Sequence, residues 1–158
     1  MLIGIHHTAI STPDLKRLKQ FYCDLFGFEE IFGFEWRQGS EISDRIVGLK
    51  DSAAEFVFLR NANTHLELFE YRSPTPRPRD RAWRVCDHGL THICFEVSDI
   101  HSEYSRLKNM GMRFQAAPCA AAGLMAVYGR DPDGNIVELI EFVKPPTNEQ
   151  HSLSLAVS

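Results

Sequence analysis

Four residues have the types and the spacing for chemistry: His7, Glu67, His92 and Glu138. They form two matched pairs. Gly4-Ile5-His6-His7-Thr8, followed by Asp14-Leu15, returns 85 positions later as Gly89-Leu90-Thr91-His92-Ile93, followed by Asp99-Ile100. The glutamates lie in look-alike segments, His65-Leu66-Glu67-Leu68-Phe69-Glu70 and Ile136-Val137-Glu138-Leu139-Ile140-Glu141. Two imidazoles and two carboxylates make a mixed nitrogen and oxygen donor set, suited to one divalent ion such as Zn, Ni, Co, Mn or Fe(II). On an ion that takes six ligands, four from the protein leave two positions for water or substrate. Each residue taken singly has a plainer reading. A histidine on a half-buried strand can be hydrogen-bonded scaffold, and a glutamate between aliphatic residues can point to solvent. The recurrence of both residue types at equivalent places favours the metal reading, because an internal repeat implies repeated structural units.

Strands must present these side chains. Residues 3–11 mix β-branched and apolar types over the length of a strand, with Ile5, His7 and Ala9 on one face. Ser11-Thr12-Pro13-Asp14 starts a helix, proline being tolerated at a helix entry. Leu15, Leu18, Phe21, Tyr22 and Leu25 then recur at helical spacing as far as Gly27. Residues 28–36 predict a second strand and 38–50 an irregular connection. Residues 55–60 and 65–71 predict a hairpin around Asn61-Ala62-Asn63-Thr64. The second unit repeats the plan. It has a strand over 90–98 and a helix over 99–110, with Tyr104 and Leu107 on one side and Gly111 at its end. Strands follow over 112–115, 121–130 and 135–143, the last two joined by an Asp131-Pro132-Asp133-Gly134 turn. The expected fold is α+β, two βαβββ modules over 1–72 and 89–144. A Pro- and Arg-rich linker spans 73–88, and a polar tail over 145–158 is either disordered or laid on a partner.

Composition narrows the setting. At 158 residues the chain is one compact domain or two small modules. No apolar run approaches the ~18 residues of a membrane span, and the first residues enter a strand with no leader-like segment. Four cysteines without a CxxC pair suit a reduced, cytoplasmic protein. A net charge of −4 argues against nucleic acid as a partner. Half-barrel modules leave sheet edges that need cover, so a homodimer is expected.

Several motifs carry a resemblance. They are His7-Thr8, Asp14-Leu15, Phe21-Tyr22, Leu25-Phe26-Gly27, Leu66-Glu67-Leu68, Gly89-Leu90-Thr91-His92-Ile93 and Asp131-Pro132-Asp133-Gly134-Asn135-Ile136-Val137-Glu138-Leu139. Together, over about residues 3–143, the chain resembles the vicinal oxygen chelate superfamily. That group holds glyoxalase I, methylmalonyl-CoA epimerase, extradiol dioxygenases and the fosfomycin and bleomycin resistance proteins. The resemblance implies paired cupped mixed sheets around a metal cavity, with His7, Glu67, His92 and Glu138 at the four ligand places. It is closest to glyoxalase I and the epimerases. Ser11 and Tyr71 stand where glyoxalase I has Arg and Asn for glutathione, which argues against a glutathione substrate. An acyl-CoA substrate would draw on the cations of residues 72–84; the plainer reading of that segment is a solvated linker.

The activity so implied is that of an isomerase or lyase acting on a small molecule with adjacent oxygens through a metal-stabilised enolate. Glu138 or Glu67 would take the proton, and His65, Tyr71, Tyr128 and Arg130 are candidates for orienting substrate. Two alternatives stand beside it. One is an extradiol-type Fe(II) dioxygenase, which uses two histidines and one carboxylate. The other is a metal-free resistance protein holding a drug between aromatics such as Phe34, Trp36 and Phe69.

Overall fold

A computed structural model describes residues 1–80 and 82–143. The chain divides into two compact units, Met1–Arg81 and Ala82–Ser158. Unit one runs β1 (Thr8–Ser11), α1 (Leu15–Phe26), β2 (Glu29–Trp36), α2 (Glu41–Val47), β3 (Ala53–Asn61) and β4 (Thr64–Ser73). Its sheet has the order β1-β4-β3-β2, with β1 parallel to β4 and the other pairs antiparallel. Unit two runs β5 (His92–Glu96), α3 (Ile100–Asn109), β6 (Arg113–Phe114), β7 (Cys119–Ala121), β8 (Leu124–Arg130) and β9 (Ile136–Phe142). Its sheet has the order β5-β9-β8-β6, with β7 also on β8, and β5 is parallel to β9. These are the expected mixed sheets of an α+β fold.

One face of each sheet is the core. In unit one, α1 lies against β3 and β4. Leu18 and Tyr22 of the helix and Leu59, Leu66 and Leu68 of the strands are buried. In unit two, α3 lies against β9, and Ile100, Leu107, Val137 and Leu139 are fully buried. A buried leucine contributes about 2 kcal/mol of transfer free energy. Since strand residues alternate faces, burying Leu66 and Leu68 turns Glu67 to the opposite face.

The repeat extends to single hydrogen bonds. Asp14 Oδ1 accepts from Arg17 N at 3.0 Å, and Asp99 Oδ1 accepts from Ser102 N at 3.0 Å, each capping its helix. Glu70 Oε2 accepts from Leu15 N at 2.7 Å, and Glu141 Oε2 from Ile100 N at 3.1 Å. These carboxylates sit three residues past Glu67 and Glu138, on the helix-bearing face. There they anchor each helix start to the strand that carries the chemistry, with favourable charge at the helix N-terminus.

The first strands are shorter than expected. Residues 3–7 and 90–91 lie outside β1 and β5, so His7 stands immediately before its strand. Register explains the second case: His92 pairs with Ile136, the first residue of β9, so Leu90 and Thr91 fall opposite the preceding turn. In unit one Thr8 pairs with Leu66, and β1 starts there although β4 extends two residues further back, to Thr64. The irregular connection expected over 38–50 contains α2. Ser40 caps it, Gly48 closes it in the left-handed conformation (φ 69°), and none of its residues is buried. Asp44 ties it down, its carboxylate accepting from Asp51 N and Ser52 N at 2.8 Å and from Ser52 Oγ at 2.5 Å. Hydrogen bonds from the Ser52 side chain, then its backbone, hold this carboxyl below its ordinary pKa. The strand expected over 121–130 is split into β7 and β8 by a turn at Ala122-Gly123. The tail over 145–158 lies outside the described residues. Among those described, no helix is long and apolar enough to cross a membrane.

Candidate metal centre

Each unit brings one histidine to one glutamate. His7 Nε2 lies 3.2 Å from Glu67 Oε2, and His92 Nε2 lies 3.0 Å from Glu138 Oε2. The carboxylates are the more enclosed members, at 17% and 14% side-chain exposure against 36% and 29% for the histidines. Register makes the two pairs equivalent: Ala9 stands opposite Glu67 as Cys94 stands opposite Glu138.

The far ring nitrogens are also engaged. His7 Nδ1 is 2.9 Å from His6 Nδ1, and His92 Nδ1 is 2.8 Å from Thr91 Oγ1. The tautomer that carries its proton on Nδ1, toward these neighbours, would leave the Nε2 lone pair available to an ion held between imidazole and carboxylate. An edge-on ring steadies each imidazole: Phe58 against His7 and Tyr128 against His92, both with centroids 5.3 Å apart.

Two donors at about 2.1 Å from one ion, separated by roughly 90–110°, lie about 3.0–3.4 Å from each other. The His–Glu spacings of 3.2 and 3.0 Å match that bite, so each pair fits two positions on a divalent ion. Among the described residues, no three His, Cys, Asp or Glu side chains are grouped to hold a metal. The donor set within a unit is therefore a pair.

Around the carboxylates the units differ. Tyr128 faces Glu138 across β8–β9, where Phe58 faces Glu67 across β3–β4. Burial, then the charge of Glu138 and a hydrogen bond to it, raise the Tyr128 phenol above its ordinary pKa. Burial first, with the same carboxylate second, pushes the Cys94 thiol up to about 12. Burial and then the charge of Glu67 raise Tyr71. Both Tyr128 and Cys94 thus remain protonated at neutral pH, as donors to Glu138. Neither Ala9 nor Phe58 can donate a side-chain hydrogen bond to Glu67. The thiol and the register opposite the glutamates escape sequence reading, because an Ala/Cys difference inside a repeat means nothing until the pairing is known.

Other sequence candidates are engaged elsewhere. Arg130 donates to the carbonyls of Gly134 (2.6 Å) and Trp83 (2.7 Å), holding the DPDGN turn rather than waiting for a substrate. His65 stacks on His6, with centroids 5.1 Å apart. Tyr71 stacks on Phe69 at 5.6 Å. Of the linker cations, Arg84 pairs with Asp87 at 2.8 Å, and Arg72 pairs with Glu55 at 2.8 Å and with Glu35.

The chain also has recognisable relatives. The Glyoxalase/Bleomycin resistance protein/Dioxygenase superfamily model matches residues 4–139. A 2-epi-5-epi-valiolone epimerase from Actinomyces sp. is 29% identical over 162 aligned positions, covering 95% of this chain and 85% of that protein. Mouse mitochondrial methylmalonyl-CoA epimerase is 25% identical, covering 85% of this chain and 71% of its own length. A glyoxalase family protein from Bacillus cereus superposes with a TM-score of 0.81 at 20% identity, covering 91% of this chain and 97% of the other.

Proposed function

Because the chain belongs to the Glyoxalase/Bleomycin resistance protein/Dioxygenase superfamily, we propose that it is a divalent-metal-dependent isomerase or lyase acting on a small molecule with adjacent oxygens. The observation that carries this reading is the duplicated His–Glu pair, 3.2 Å in one unit and 3.0 Å in the other, set in one register. His7, Glu67, His92 and Glu138 are the proposed ligands of one ion: Ni, Co, Zn, Mn or Fe. Relatives named as epimerases support the reaction type.

When bound, the ion would polarise a substrate carbonyl and balance the negative charge left as the neighbouring C–H proton departs. The residues supply the proton traffic. Tyr128 and Cys94 stand across the strands from Glu138, each with a proton to offer it. Glu67 has no such neighbours opposite it and meets His7, at 3.2 Å, so it is the carboxylate proposed to turn from the ion to the substrate carbon and accept its proton. A second carboxylate suits an exchange in which one group takes the proton and the other returns it. The imidazoles, fixed through Nδ1, keep their positions throughout. Homodimerisation belongs to the proposal, since β1 and β5 are end strands of their sheets and end strands need cover.

The test is exchange of a substrate proton with solvent. Metal-loaded protein in D2O should place deuterium at the carbon beside the carbonyl of an α-hydroxy ketone or 2-methylacyl thioester, and Glu67→Gln should abolish it. Oxygen consumption with a catechol and no C–H exchange would replace this reading with the dioxygenase.

A further inference from the structure

Resting on the metal reading above, we propose that the substrate is an uncharged ring compound, held by its ring face on an aromatic floor in unit one. The register lays this floor out in rows. Glu67 shares a cross-strand row with Phe58 and Phe32. Two residues along, about 7 Å away at strand spacing, the next row is Phe34, Phe56 and Phe69. Their rings touch in sequence, Phe34 to Phe56 at 6.1 Å and Phe56 to Phe69 at 5.2 Å. Trp36 closes the end, 6.2 Å from Phe69, with its Nε1–H fixed on Ser52 Oγ at 2.9 Å. Phe34 remains 56% exposed.

Unit two has no counterpart. The row beside Glu138 is Glu96, Ile140, Ala126 and Cys119. A scaffold duplicated to the level of its helix caps therefore carries large flat rings on one side only. Three strands of unit two, β5, β9 and β8, pair in the same order and directions as β1, β4 and β3 without such rings, so pairing alone does not account for Phe56 and Phe69.

Position selects the occupant. A molecule whose two oxygens sit at the His7–Glu67 pair extends its next five or six atoms over the Phe34–Phe56–Phe69 row. Aromatic faces attract rings, through offset stacking or C–H contacts. Charge excludes the other class of substrate. Among the strand positions on this face there is no lysine, and the one arginine, Arg60, pairs with Glu29 at 3.8 Å. A polyphosphate tail finds there a single guanidinium, already facing a carboxylate, whereas a neutral ring needs none.

The test uses two chelators with one head group. Acetohydroxamate and benzohydroxamate share adjacent oxygens and differ by the ring. Calorimetric titration into Co(II)-loaded protein should give about tenfold tighter binding of benzohydroxamate, the scale of one good ring contact. Phe56→Ala, which installs the residue of unit two, should remove that preference and leave acetohydroxamate unchanged. Phe34→Ala, at an exposed position, should reduce the preference in the same way without risk to folding. Equal affinities in the wild type would overturn the proposal; that is the result expected if another protein surface covers the floor. A ring preference that survives both variants would overturn it as well. Failure of both hydroxamates to bind would instead strike the metal reading itself, and this proposal with it.

Discussion

Across the strands from Glu67 stand Ala9 and Phe58; across from Glu138 stand Cys94 and Tyr128. Much beneath them is shared. The helix caps, the Glu70 and Glu141 anchors, the His–Glu spacing and the edge-on ring recur in both units. The repeated backbone thus fixes where the donor atoms lie, while the residues opposite decide how firmly each carboxylate is held. One half sets aromatic rings and no side-chain donor across from its carboxylate; the other sets a phenol and a thiol there.

The largest effects should come from the carboxylates. Glu67→Gln should lower proton exchange by about 10²–10⁴-fold, the range for a lost general base. Glu138→Gln should keep the fold and lose most turnover, yet less than Glu67→Gln. Exchange rates by NMR check this, and the reverse order would break the proposed division of labour.

Exchanging one residue between halves sharpens the comparison. Tyr128→Phe gives unit two the ring of Phe58 and removes a donor to Glu138. Metal affinity should fall about tenfold, the lower end for loss of a supporting hydrogen bond, with thermal stability little changed. Competition with a chromophoric chelator measures it. Phe58→Tyr offers Glu67 the missing donor and should slow exchange without weakening metal binding.

The anchors should behave alike because their geometry is alike. Glu70→Gln and Glu141→Gln should each cost about 1 kcal/mol, a capping and helix-dipole effect, read from urea midpoints. A large difference between them would show that the repeat is not energetically equivalent.

The smallest effect is a pH dependence at unit two's cap. Hydrogen bonds from Ser102, backbone first and hydroxyl second, hold Asp99 below its ordinary 3.8. A depressed carboxyl contributes stability that is present above 3.8 and is lost as pH falls through the folded value. Asp99→Asn should therefore lower the urea midpoint at pH 7 and converge on the wild type toward pH 3.

Much of this was legible in the residues, and the reasons differ by element. Leu15, Leu18, Tyr22 and Leu25 announce α1 because helical spacing and burial coincide. The Asp131 turn is legible because its side chain closes it locally, accepting from Asp133 N and Asn135 N at 2.9 Å. Helix α2 was not legible. It buries nothing and is held by Asp44 reaching Asp51 and Ser52, contacts outside its own span. The short β5 was hidden too, since its start is set by where β9 begins, at Ile136, rather than by Leu90. The anchoring role of Glu70 and Glu141 became visible only with the helix starts in place beside them. The contrast of Cys94 with Ala9 acquired meaning only through register.

The central claim is that the two His–Glu pairs serve one ion. Metal analysis of untagged protein, purified without added metal, tests it most directly beside His7→Ala/His92→Ala. The account predicts roughly one divalent ion per chain in the wild type and none in the double variant, with both folded by circular dichroism. A folded wild type that carries no metal and takes none up on titration with Ni, Co, Zn, Mn or Fe(II) would contradict it.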